Sequence, residues 1–135
     1  MISNGGLSKQ QVEGKKLLLD TNILIYQLSG KLDLSEILPY GRELYISAIT
    51  EAELFAGVER AQLEDLKEYI GDFEILPVTS EVAIVAGSYK NVIRSKSLKD
   101  LLIAATAQVH NLTLVTANNR DFVHLLKPAP LFVRI

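Results

Sequence analysis

Short apolar runs recur along the chain between polar stretches that contain Gly or Pro, and several of the runs stop at a polar residue. Leu17, Leu18 and Leu19 run into Asp20. A run so short, with no alternation, suits a strand buried on both faces, as in a parallel sheet. Further strands are expected at residues 44–46, 73–78, 112–115 and 131–133. Helical spacing fills the gaps. One helix opens at Thr21 and Asn22 and runs to about Leu28, ended by Gly30; another, capped by Ser47 or Thr50, reaches about Ala56. Residues 61–70 form a third, closed by Gly71, and a long one starts at Ser80 and continues through Arg94, with Val82, Ala83, Val85 and Ala86 on a shared face. Ser97 begins a helix so apolar, through Leu101 to Ala107, that it should lie in the core. Residues 35–38 are expected to add a helical turn before Pro39 and Gly41, 116–119 to form a loop, and a short helix to follow Asp121. Strands that alternate with helices predict an α/β domain around a central, mostly parallel sheet.

Composition narrows the class. At 135 residues, 48% hydrophobic and 22% charged, the chain is long enough for one domain with a self-sustaining core. The absence of Cys excludes thiol catalysis and thiolate metal sites and fits a reducing compartment. With 14 basic and 16 acidic residues, the net charge of −2 argues against coating nucleic acid by bulk attraction, though it leaves room for a local basic patch. No apolar stretch approaches the ~18 residues of a membrane span, and the opening lacks a signal-peptide core, so a soluble cytoplasmic protein is expected. Residues 1–14, polar and Gly-containing, are expected to be a flexible N-terminal extension ahead of a folded domain at 15–135.

Ligands of open parallel sheets bind beyond the carboxyl ends of the strands. Asp20 follows one apolar run; Thr116, Asn118 and Asp121 follow another. Glu53 and Asp100 fall in the first turns of helices, and all four acids can share one edge of the sheet. Each also has a plain structural reading. Ser97 with Asp100, and Thr50 with Glu53, match the capping-box spacing, and Asn118 with Asp121 can cap in the same manner. Asp20 differs, because a carboxylate at the end of so apolar a strand is costly unless it is hydrogen-bonded or meets a cation. Converging carboxylates suit a hard divalent ion with oxygen ligands.

Four pieces of the chain, in order, are similar to the PIN-domain ribonucleases, in particular the VapC-type toxins of toxin–antitoxin pairs. They are Leu19-Asp20-Thr21-Asn22, the run from Ile46 to Leu54, the run from Asp100 to Ala107, and the run from Leu114 to Phe122. The resemblance extends from about Lys16 to the C-terminus. It implies a PIN-like three-layer α/β/α sandwich, with Asp20, Glu53, Asp100 and Asp121 holding Mg2+ or Mn2+ and Thr21, Asn22, Thr116 and Asn118 as supporting polar groups. Glu53, which precedes Leu54, matches better than Glu51. Where the family often has Pro before the third acid this chain has Lys99, and the polar leader precedes the family's usual start; neither departure falls on a candidate ligand.

The same resemblance implies endonucleolytic hydrolysis of RNA of the tRNA or rRNA class, leaving 5′-phosphate ends, with a cognate antitoxin as partner and a homodimer as the assembly. Leu54, Phe55, Val58 and Leu63 are candidates for apolar partner surface. Arg94, Lys96, Lys99 and Arg120, with Lys90, are candidate RNA contacts, or an ordinary solvated face. The five tyrosines offer stacking platforms, with packing the commoner use. His110 and His124 read as structural or surface residues. Two alternatives stand beside the nuclease: a catalytically silent PIN-like module that binds RNA or protein, and a phosphoacceptor receiver. The second is weakened because Leu18 and Leu19, not acids, precede Asp20 and because Asn118, not Lys, follows the late strand.

Overall fold

The computed structural model describes residues 3–38, 43–117 and 120–135, with the side chain of Arg120 left aside. Five strands form one sheet: β1 (Leu17–Leu19), β2 (Leu44–Ser47), β3 (Glu74–Leu76), β4 (Thr113–Ala117) and β5 (Leu131–Val133). Their spatial order is β3-β2-β1-β4-β5 and every pairing is parallel. The helices are α1 (Lys9–Val12), α2 (Thr21–Leu28), α3 (Ala48–Gly57), α4 (Leu63–Ile70), α5 (Ser80–Tyr89) and α6 (Leu98–Val109). Two 3-10 turns, Arg60–Gln62 and Arg120–Phe122, complete the elements.

Strand side chains alternate between faces, so β1 feeds two cores. Leu17 and Leu19 join Ile23 and Leu24 of α2, Leu54 of α3, and Leu66 and Ile70 of α4 on one face. Leu18 joins Val82 and Ala86 of α5 and Leu101, Ala104 and Ala105 of α6 on the other. The result is the three-layer α/β/α sandwich that the sequence implies. The chain winds outward from β1 through β2 and β3 on one side, and through β4 and β5 on the other, so the order reverses between β1 and β4. Such a switch point opens a crevice at the carboxyl ends of its strands.

Several local expectations change. The long helix from Ser80 stops at Tyr89 rather than Arg94, because the Lys90 ammonium donates to the carbonyls of Arg94 (3.0 Å) and Lys96 (2.7 Å) and folds the following segment into a loop. Along α5, Val82 and Ala86 are buried while Ala83 is exposed. Residues 35–38 form one isolated turn, the Leu38 amide donating to the Leu34 carbonyl (2.9 Å), and go no further toward a helix. Thr116 and Ala117 belong to β4, not to a loop, since β5 pairs with them at Phe132 and Val133. Asp121 lies within its 3-10 turn rather than ahead of it. Asn111, at φ 56°, ends α6 in the left-handed region that Asn tolerates.

The leader, expected to be a flexible extension, is packed where it is described. Ser8 and Gln11 form a reciprocal capping box for α1, Leu7 and Val12 are buried in the α2-side core, and the Arg134 amide donates to the Gly5 carbonyl (2.8 Å). Gly5 is at φ +67°, and a side chain there would collide with Val133. Two apolar residues and a terminal pairing suffice to anchor the segment, and neither leaves a periodic signal.

Candidate active site

Asp20 is the first residue beyond β1 and the N-cap of α2, at the β1/β4 switch point. Its Oδ1 accepts from the Thr21 amide (2.7 Å) and its Oδ2 from the Thr116 hydroxyl (2.7 Å), while its own amide donates to the Val115 carbonyl (2.9 Å). Burial pushes its carboxyl above the ordinary 3.8; the two hydrogen bonds oppose this, and the negative charges of Asp100 and Glu53 add to the rise. Capping and site chemistry therefore coincide in one carboxylate.

Ser47 is the residue that caps α3, accepting from the Ile49 amide (3.0 Å). Thr50 is thereby free of the cap role that its spacing to Glu53 suggests. It lies fully buried one turn into the helix, and its hydroxyl meets that of Thr21 at 2.8 Å. The Thr21 hydroxyl donates to Glu53 Oε1 (2.8 Å). A hydroxyl has one proton and a carboxylate only accepts, so Thr50 donates to Thr21 and Thr21 to Glu53. Thr50 is a positioning residue that motif reading missed; its signal was a Thr one turn before an acid, which capping explained equally well. Glu51, also half-buried, takes no part in this chain.

Asp100 sits half-buried in the first turn of α6, its amide donating to the Ser97 hydroxyl (3.3 Å). The charge of Asp100 reaches Asp20, so a helix-start acid again serves both readings. Asp121 is exposed, and Lys96 Nζ lies 3.3 Å from its Oδ2. Lys99 Nζ lies 3.4 Å from Glu53 Oε2. Both lysines, expected as RNA contacts, face acids of the site, and the departure at Lys99 does touch a candidate ligand. Arg94 is exposed, as are Asn22, His110 and His124. Asn118 and the Arg120 side chain lie outside the described residues. Tyr45 and Tyr89 are buried, and Tyr26 and Tyr69 half-buried, as packing requires; Tyr40 lies outside the described residues.

Among the described residues, no three His, Asp or Glu side chains stand close enough together to ligate one ion. The chemistry of the donors nevertheless fits a hard divalent cation: oxygen ligands only, one of them buried beside two like charges, with lysine ammonium groups as the cations at hand. Beside Glu53, α2 and α3 border a groove of about 370 Å³ lined by Ile25, Leu28, Leu54, Gly57, Val58 and Leu66. Leu54 and Val58 of the expected partner surface line it, whereas Phe55 and Leu63 are half-buried elsewhere in the packing. No helix among the described residues is long and apolar enough to cross a membrane.

The sequence profile of the PIN domain matches residues 17–127. Ribonuclease VapC1 of Rickettsia felis is 36% identical over 119 aligned residues, which cover 78% of this chain and 87% of that protein. Ribonuclease VapC10 of Mycobacterium tuberculosis is 33% identical over 109, covering 76% and 82%. A chain of a toxin–antitoxin complex from Klebsiella pneumoniae superposes with a TM-score of 0.72 at 29% identity, covering 86% of this chain and 100% of its own length. A chain of VapBC2 from Rickettsia felis, in a complex with a promoter DNA fragment, gives 0.69 at 26% identity, covering 87% and 97%.

Proposed function

Because this chain belongs to the PIN-domain family, we propose that it is a VapC-type endoribonuclease, the toxin of a toxin–antitoxin pair, and that it hydrolyses RNA of the tRNA or rRNA class at the acidic edge of its sheet. The observation that carries this reading is Asp20: a buried carboxylate at the switch point, with Asp100 and Glu53 adding negative charge where a fold gains nothing from it. Asp20, Glu53 and Asp100 would hold Mg2+ or Mn2+, with Asp121 completing the set. When bound, the ion supplies charge neutralisation at the scissile phosphate and lowers the pKa of the attacking water.

The chain's own residues fix the donors. Thr116 and the Thr21 amide hold both oxygens of Asp20, and the Thr50–Thr21 relay holds Oε1 of Glu53, leaving Oε2 toward Lys99. Attack by water rather than by the ribose 2′-hydroxyl leaves 5′-phosphate and 3′-hydroxyl ends. The groove beside Glu53 would receive an apolar segment of the antitoxin, which blocks RNA by its position next to the acids. A homodimer belongs to the same reading, supported by the exposed Ile84 of α5 and Leu98 of α6, and so does action in the cytoplasm, where the substrate is.

The test is cleavage of total tRNA and rRNA by the wild type and by Asp100→Asn, with Mg2+, Mn2+ or EDTA, followed by end-group mapping. Metal-dependent cutting by the wild type alone, with 5′-phosphate ends, is expected. Equal activity in both proteins, or RNA binding without cutting under any condition, would replace the nuclease by a silent binding module.

A further inference from the structure

Asp121 opens onto a cleft of about 510 Å³, bounded by Val92, Ile93, Arg94 and Ser95 on one side and by Val123, His124 and Leu125 on the other. We propose that this cleft is a subsite for one unpaired nucleotide of the RNA, adjoining the bond that is cut. The proposal rests on the ribonuclease reading and adds a place where sequence preference is set.

The lining has the two kinds of surface that a nucleotide presents. Val92 and Val123 are 68% and 38% exposed, apolar surface left open to water beside polar lining groups. Bases splayed from single strands are held by such contacts on their faces and by hydrogen bonds along their edges. Arg94, Ser95 and His124 supply guanidinium, hydroxyl and imidazole groups for those edges and for the ribose and phosphate. The volume falls within the roughly 300–1,000 Å³ of small-ligand sites. Arg94 lines the cleft, and Lys96 pairs with the Asp121 carboxylate that lines it, an arrangement that suits a phosphate-bearing ligand better than an acidic or purely apolar peptide.

The cleft is also preformed, which lowers the cost of binding. Buried Ile93 anchors its loop, and the Lys90 ammonium, by donating to the carbonyls of Arg94 and Lys96, sets the path of the residues between. Its position follows from the chain. Lys96, paired with Asp121, is three residues before Lys99, which is paired with Glu53, and Asp100 comes next. Thr116, which holds Asp20, is five residues before Asp121. A strand of RNA with its phosphate at the acids therefore has a neighbouring nucleotide within reach of the cleft.

The experiment uses single-stranded RNA oligonucleotides carrying 4-thiouridine at successive positions, photo-cross-linked to the full chain bearing Asp20→Asn, with the modified peptides mapped. Cross-links at residues 92–95 or 123–125 from one position of the RNA are expected. In the active protein, Val92→Asp with Val123→Asp should change by about tenfold the ratio of kcat/KM between substrates that differ only at that nucleotide. Arg94→Gln, at an exposed position, is the second variant should the acidic pair fail to fold. Cross-links elsewhere, or an equal loss on every substrate, would overturn the subsite. So would a change of oligomeric state in the acidic pair, which would make the cleft a protein interface. A folded wild type that neither binds nor cuts RNA would instead remove the ribonuclease reading itself.

Discussion

Two parts of the acidic edge are held in opposite ways. Asp20 is fixed by neutral donors, a threonine hydroxyl and a backbone amide, inside the protein; Asp121, and the oxygen of Glu53 that Thr21 does not hold, each face a lysine. Neutral donors orient a carboxylate without cancelling its charge, so the cost of burying Asp20 next to Asp100 and Glu53 persists in the metal-free protein. The lysines cancel charge, and Lys99, 64% exposed, does so weakly. On the proposed metal-binding reading, one carboxylate would be ready for a cation and the other two would hold replaceable ones.

The sharpest way to break this contrast is Asp20→Asn. The amide keeps the cap acceptor, so the fold survives, while cleavage should fall more than about a hundredfold. The folded state binds the Asp20 proton more tightly than the unfolded chain does. Stability of the metal-free wild type should therefore decline as pH rises from 3.8 through the raised value, and remain lower above it. The metal-free variant should melt higher than the wild type near neutrality, with the gap closing in acid. A melting point below that of the wild type at neutral pH would mean that Asp20 is mainly a structural cap. Mn2+ affinity in the wild type should run the other way, rising with pH as the proton is displaced.

Thr116→Val tests the neutral side more gently. It removes the donor to Oδ2 at constant shape, so the acidic limb of the pH–rate profile should move to higher pH, with activity nearly recovered at high pH. A uniform loss at every pH would assign Thr116 to packing. The smallest effect is expected at Lys99→Gln, where loss of an exposed competitor should raise Mn2+ affinity up to about fivefold in calorimetric titration, less at high salt. Unchanged metal affinity with weaker RNA binding would return Lys99 to the substrate.

Much of this was legible in the sequence for a local reason. The leucine run into Asp20 shows both a doubly buried strand and a carboxylate in the wrong solvent, and the apolar stretch after Asp100 shows a core helix. What was hidden depends on partners distant in sequence. Thr116 read as loop because its strand is defined by β5, and the leader read as free because its anchors lie in the core and at Arg134. Thr50 matched a cap that Ser47 fills, and the lysines gave no sign of facing acids, since a charge on a surface helix looks alike whether it points to water or to a carboxylate.

The bond from Thr116 to Asp20 spans 96 residues. A ribosome making this chain releases Asp20 well before the strand whose hydroxyl completes its setting. At about 5–20 residues per second that interval is several seconds. On the ribonuclease reading, the acidic edge would thus become competent only after β4 has left the ribosome, seconds behind the carboxylate it completes.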